Sequence, residues 1–233
     1  MFFLGIDPLY WMMMIPVLIL SAIASMRVKA TFSKYSRIGI SGNLTGADAA
    51  REILRMNGLH DVDVVKTTGF LSDHYDPRKK IVRLSSKVFD SNSIAAVGVA
   101  AHETGHALQH AQSYTPLMLR NAMVPVASIG SNFSWIIIMA GFFLGMLGLV
   151  KLGIVLFSIV VVFQIITLPV EFNASARAKR ILAENRIVNR SELTGVNQVL
   201  SSAAMTYVAA AAGAVMTLLY FLLRSGLLGG RSD

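Results

Sequence analysis

Cysteine is absent from the 233-residue chain. No disulfide can staple it, and any metal site must be built from His, Asp or Glu. The absence fits a reducing compartment. Charge is scarce as well: Asp, Glu, Lys and Arg make up 15% of residues, while 54% are hydrophobic. An ordinary soluble domain is nearer ~45–50% apolar. Mean hydropathy is +0.59. The shortage of charge is local: long blocks carry almost none, which is how membrane spans read. Internal repeats and low-complexity tracts are lacking too. The net charge of +8 comes from 21 Lys and Arg against 13 Asp and Glu. In a soluble chain that balance suggests a nucleic-acid partner. Beside apolar blocks it reads as the bias of membrane loops, and no nucleic acid is expected.

The first block runs from about Pro8 to Met26. Asp7 is the only charge before it, and Arg27, Lys29, Lys34 and Arg37 follow. That order argues against a cleaved signal peptide and for an anchor with its N-terminus outside. The second block, about Phe133 to Val170, is interrupted only by Lys151. As one helix it would reach about 55 Å, against a hydrocarbon core of ~30 Å. Two spans fit better, with a turn marked by Gly148, Lys151 and Gly153. The last block, about Ala203 to Leu223, is rich in alanine, which lets helices approach closely in lipid.

Four spans leave both termini on one side. Segment 27–132 carries thirteen Lys and Arg, and segment 171–202 carries Arg177, Lys179, Arg180, Arg186 and Arg190. The other side has Lys151, Arg224 and Arg231. The positive-inside rule places both basic segments in the cytoplasm and the termini outside. The expected division is an anchor (1–26), a cytoplasmic catalytic domain (27–132), a transmembrane hairpin (133–170), a cytoplasmic helical segment (171–202) and a last span with a short tail (203–233).

Within 27–132, Thr45 can cap a helix from Gly46 to Asn57, with Gly58 as its stop. Val62, Val64 and Val65 suggest a short strand, Asp73 to Pro77 a turn, and Ile81 to Leu84 a second strand. Asn92 or Ser93 can cap a helix from Ile94 to Ala111. The domain is therefore α+β.

On that helix, His102 and His106 are four residues apart, so both imidazoles leave one face. Two imidazoles so placed can hold one zinc ion. Glu103 lies about 100° round the helix and can reach a water on the metal as general base. The preceding residues, Ala95 to Val97 and Val99 to Ala101, form an apolar face. Two histidines and a carboxylate are costly there unless paired or metal-bound.

A catalytic zinc needs a third protein ligand and an open position. The downstream acids are Glu171, Glu184, Glu192 and Asp233. Glu171 follows the apolar block directly and, by the topology above, lies on the side of the motif. It is the favoured ligand; its alternative roles are snorkelling or pairing with Arg177. Glu184 and Glu192 read as solvated charges. His110 drifts too far round the helix and reads as structural, and His60 as exposed. His74 and Tyr75 could donate to an oxyanion, or their segment could simply be a turn built by Asp73 and Asp76. Tyr207 is a further donor candidate. The strand Ile81-Val82-Arg83-Leu84 could bind substrate along a sheet edge.

These residues resemble the YugP-type membrane zinc metallopeptidases. The resemblance runs over nearly the whole chain and includes the first anchor, Leu71 to Pro77, Ala101 to His110 and Pro169 to Ala178. The order is also similar to the HtpX-type and CaaX-protease group, which pairs H-E-x-x-H with a later Glu-x-x-Ala-Asp whose Glu binds zinc. Glu171 and Ala174 match that segment, whereas Ser175 stands in place of Asp. Ser175 or Asn173 would then support a zinc histidine. The resemblance implies a cytoplasm-facing peptidase, with membrane-protein quality control as a role.

The fold class expected is a mainly α integral membrane protein of about four transmembrane helices with a small α+β zincin-like catalytic domain. The expected function is a zinc-dependent endopeptidase of the cell (inner) membrane acting on membrane or membrane-proximal polypeptides. Its partners are the polypeptide substrate and the lipid bilayer; a homo-oligomer and membrane-protein regulators remain open. The competing reading is a non-catalytic zinc-binding scaffold or regulator. A transporter is disfavoured because the spans carry no interior Asp, Glu or Arg.

Overall fold

The computed structural model describes residues 7–69 and 72–228. Leu71, Arg231 and Asp233 lie outside the described residues. The elements, in order, are α1 (Pro8–Tyr35), α2 (Gly46–Met56), β1 (Asp63–Thr67), β2 (His74–Asp76), β3 (Ile81–Ser85), α3 (Ser86–Phe89), α4 (Ile94–Ala111), α5 (Thr115–Phe143), α6 (Leu147–Glu184) and α7 (Arg190–Arg224). Helices α1, α5, α6 and α7 are long and apolar enough to cross a membrane. They carry exposed large apolar side chains such as Met12, Ile15, Leu18, Phe133, Ile136 and Val155. On a water-facing surface these would be a liability; on membrane spans they face lipid.

The chain divides into two compact units. Unit 1 contains residues 1–23, 119–168 and 206–233; unit 2 contains 24–118 and 169–205. The boundaries fall inside helices. In particular, α6 runs unbroken through 170 and 171.

In unit 1, Met13, Met14, Ile138, Val150, Ile154, Tyr220 and Phe221 form the core. The turn of the α5–α6 hairpin comes earlier than expected, at residues 144–146, and is closed by Met146 N–H donating to the Gly141 carbonyl at 2.9 Å. Gly148, Lys151 and Gly153 belong to α6 instead. Gly153 serves packing: a Cβ there would lie 2.5 Å from Ile138 Cγ1 and 2.9 Å from Ile138 N. Its missing side chain is what lets α5 approach.

Unit 2 is built around α4. One face of α4 (Val97, Ala101, Leu108) packs with Ala178 and Leu182 of α6 and Val196 and Leu200 of α7. Another (Ala96, Ala100, Ala107) packs with Ala50 and Leu54 of α2, Val82 and Leu84 of β3, and Val88. Local signals fix these helices. Thr45 and Asp48 form a reciprocal capping box at the start of α2, and the Ser93 hydroxyl accepts from Ala96 N–H at the start of α4.

The sheet has the order β1-β3-β2, with β1 parallel and β2 antiparallel to β3. Two expectations change here. His74–Asp76 is a strand, and the turn follows it, with Asp76 Oδ1 accepting from the Arg78 and Lys79 amides at 3.0 and 3.2 Å. Residues Ile81, Val82, Arg83 and Leu84 lie in the central strand, paired on both sides, so they offer no open edge to a peptide. Val82 and Leu84 are fully buried, which places them in the core. A third change concerns Glu192. It is buried and accepts from Ser41 N–H at 2.7 Å and Asn189 N–H at 2.8 Å. Glu184 is exposed, as expected.

Candidate metal centre

Three side chains of unit 2 converge. His102 and His106 of α4 and Glu171 of α6 each offer one donor atom, and these atoms all lie within 4.8 Å of one another. Glu171 Oε2 is 3.2 Å from His102 Nε2 and 3.6 Å from His106 Nε2. The two rings are nearly perpendicular, with centroids 4.8 Å apart. All three side chains are largely buried.

The approach of the two helices has a local cause. Gly105, inside the motif, faces the α6 backbone, and a Cβ there would sit 2.7 Å from the Ala174 carbonyl oxygen. Ala174 itself is fully buried. Glu171, Ala174, Ser175 and Ala178 repeat at helical spacing, so one face of α6 lies against α4. That contact sets Glu171 against the two imidazoles.

Each imidazole is held from behind. Ser175 Oγ lies 3.1 Å from His102 Nδ1. Gln109 Oε1 lies 3.0 Å from His106 Nδ1. The Gln109 amide nitrogen donates to the Val170 carbonyl and to Asn173 Oδ1, each at 2.9 Å. A carbonyl cannot donate, so this end of the amide must be the nitrogen, and Oε1 must accept from His106 Nδ1–H. His106 Nε2 is thereby left with its lone pair toward Glu171. Gln109 is fully buried. Sequence reasoning did not single it out, although its place one turn after His106 was a usable signal. Asn173 touches Gln109 and not an imidazole; it also accepts from Arg177 Nε at 2.7 Å, so Arg177 pairs there rather than with Glu171.

Glu103 is buried on α4. Burial alone would depress the His106 imidazolium. The carboxylates of Glu171 and Glu103, with Gln109, outweigh it and hold His106 above the usual histidine range. The cluster thus favours a positive charge between the rings and the carboxylate, which a proton or a divalent cation supplies. Two imidazoles, one carboxylate and no sulfur suit zinc, with one position left open.

The other candidates lie differently. His74 is exposed, with Nδ1 2.8 Å from the Ser72 carbonyl. Tyr75 Oη lies 2.8 Å from His110 Nδ1. His110 is therefore turned to the sheet. The Tyr75 hydroxyl is pushed up to about 12 by burial, with Asp61 and Asp76 adding to the effect. Tyr207 belongs to unit 1. His60 is exposed.

A family model described as "Putative neutral zinc metallopeptidase" matches residues 10–226. The chain belongs to this family. Among its relatives is the "Putative membrane protease YugP" of Bacillus subtilis (strain 168), 48% identical over 225 residues, covering 97% of this chain and 99% of the relative. No solved structure matches the chain. Membership in this neutral zinc metallopeptidase family agrees with the resemblance drawn from the motifs, and it implies zinc as the metal.

Proposed function

We propose that this protein is a zinc endopeptidase of the cell membrane, with His102, His106 and Glu171 as metal ligands and Glu103 as general base. The observation that carries the reading is the meeting of these three donors within 4.8 Å across 69 residues of sequence, beside a buried glutamate. Zinc, when bound, supplies Lewis acidity toward water and the scissile carbonyl. Glu103 takes the proton of the attacking water and passes it to the leaving amine. Gln109 and Ser175 orient the two imidazoles, and Asn173 supports Gln109. A substrate strand would pair with β2, an outer strand whose Tyr75 contacts α4 through His110.

The distribution of Lys and Arg supports a cytoplasmic active site with both termini outside, in the inner membrane of a bacterial-type cell. Membrane or membrane-proximal polypeptides are then the natural substrates, and membrane-protein quality control a fitting role. The competing reading, a zinc-binding scaffold, has no use for Glu103, because a structural site needs no base. Glu103→Gln separates them. Retained zinc with lost cleavage of casein-type and membrane substrates supports the peptidase. Unchanged metal with no chelator-sensitive cleavage by the unmodified protein would sink it.

A further inference from the structure

Arg177 touches neither the metal ligands nor Glu103, yet it is half-buried on α6, and among the described residues no carboxylate pairs with it. Its donors go to two amide oxygens instead. Nε donates to Asn173 Oδ1 at 2.7 Å, and Nη1 donates to Gln112 Oε1. Its Cζ lies 5.8 Å from the centroid of the Tyr114 ring. Taking a guanidinium from water is costly, and two amide oxygens and a ring return less than a carboxylate would. An arginine kept only for solubility or topology would extend its head into water.

These bonds carry information because a guanidinium can only donate. The two ends of an Asn or Gln amide are alike in shape, and either can turn over. The end of Asn173 that faces Arg177 must be its oxygen. The same oxygen faces Gln109 Nε2, 2.9 Å away. Gln109 therefore meets an acceptor there as well as at the Val170 carbonyl, and its own oxygen is turned to His106 Nδ1 at 3.0 Å. The ring must then carry its proton on Nδ1 and keep the Nε2 lone pair free for a cation. Val170 satisfies only one of the two N–H groups of Gln109. If Asn173 turned over, its NH2 would oppose the other. Turning Gln109 over as well would relieve that clash, at the expense of its bond to Val170, and would move the His106 proton to Nε2.

We propose that Arg177 is a positioning residue: it fixes the Asn173 amide with its oxygen toward Gln109 and, through Gln109, keeps His106 in the tautomer that binds a cation through Nε2. This use rests on His106 being a zinc ligand.

The test uses the full-length protein in detergent, first stripped of metal and then supplied with zinc. Arg177→Met keeps an apolar stem and removes the donors. In metal-free protein with isotope-labelled histidine, at a pH where the imidazoles are neutral, nitrogen NMR of the unmodified chain should show His106 protonated on Nδ1 alone. Arg177→Met should show a mixture of both tautomers. Arg177→Gln should do the same and covers the case in which the Met variant fails to fold, because an amide can turn over. Zinc affinity in either variant, read by competition with a chromophoric chelator, should fall about three- to tenfold, less than the about 10–100-fold that loss of a direct partner brings. Arg177→Lys, again only a donor, should keep most of the affinity. Asn173→Asp offers acceptors alone, so in that background Arg177→Met should cost less than about twofold. Gln112→Ala removes the other bond of the guanidinium and should leave zinc affinity unchanged. If it matched Arg177→Met, the arginine would only be tying down the end of α4, and the proposal would fall. A pure Nδ1–H tautomer in both Arg177→Met and Arg177→Gln would overturn it as well, and that arm needs no metal. Failure of the unmodified chain to bind zinc would instead sink the zinc reading, leaving the tautomer to decide the role of Arg177.

Discussion

In unit 1 the helices meet through shape. Gly153 admits the Ile138 backbone, and the polar contacts gather where Asp7 accepts from Tyr220 at 2.9 Å and pairs with Arg224 at 3.3 Å. In unit 2 the helices also meet at a glycine, Gly105, but a polar chain is laid over that contact: His106 to Gln109, and Gln109 to both Val170 and Asn173. Lipid tails are as apolar as the side chains they replace, so unit 1 gains little from burial and depends on close fit. Unit 2 buries its apolar faces against water, which fixes α4 between sheet and helices. Its polar groups are then available to hold the imidazoles of His102 and His106 from behind.

The comparison can be pressed at several points. The largest effect expected is from Glu103→Gln, which should lower cleavage by about 10²–10⁴-fold while bound zinc, counted by elemental analysis, stays at the unmodified level. Gln109→Ala should weaken zinc about 10–100-fold in competition with a chromophoric chelator. Ser175→Ala should follow in the same direction with a smaller change, since a hydroxyl fixes the ring less firmly than a twice-anchored amide. The two glycines test the contrast directly. Gly105→Ala and Gly153→Ala should each cost about 1–3 kcal/mol by overpacking. Only Gly105→Ala should also lower zinc occupancy; equal zinc loss in both would erase the distinction between the units. The smallest effect belongs to Tyr75→Phe, worth about 1 kcal/mol through its bond to His110. Because that phenol is pushed up to about 12, it stays protonated across the working range. An alkaline fall in activity with a midpoint below pH ~10, the usual tyrosine value, should therefore persist unmoved in Tyr75→Phe, as read from the kcat/KM profile.

Much of unit 2 was legible because its signals are local. A capping threonine, a capping serine and a motif with four-residue spacing act within one or two turns, and α4 begins at Ile94 and ends at Ala111 as those signals say. What depended on a neighbour was harder. The glycines at 148 and 153 look like a turn when read alone, yet both sit in a helix, and only Gly153 is explained by a neighbour, the close approach of α5. His74 to Asp76 carry turn-forming residues, yet β3 draws them into a strand three residues long. Ile81 to Leu84 read correctly as a strand, but only the pairing of both its sides reveals that it is interior. Gln109 was half legible: its place one turn after His106 is a local signal, but its other partners, 61 and 64 residues away, are visible only in the fold.

The amide of Gln109 has a mechanical consequence. It holds His106 with one end and, with the other, the main chain of the residue immediately before Glu171. Two donors from opposite rods are thus geared together, and α6 cannot slide without turning the ring on α4. Loss of the cation should accordingly be a concerted event: one kinetic phase on stripping with chelator, and no long-lived species gripped by half the cage.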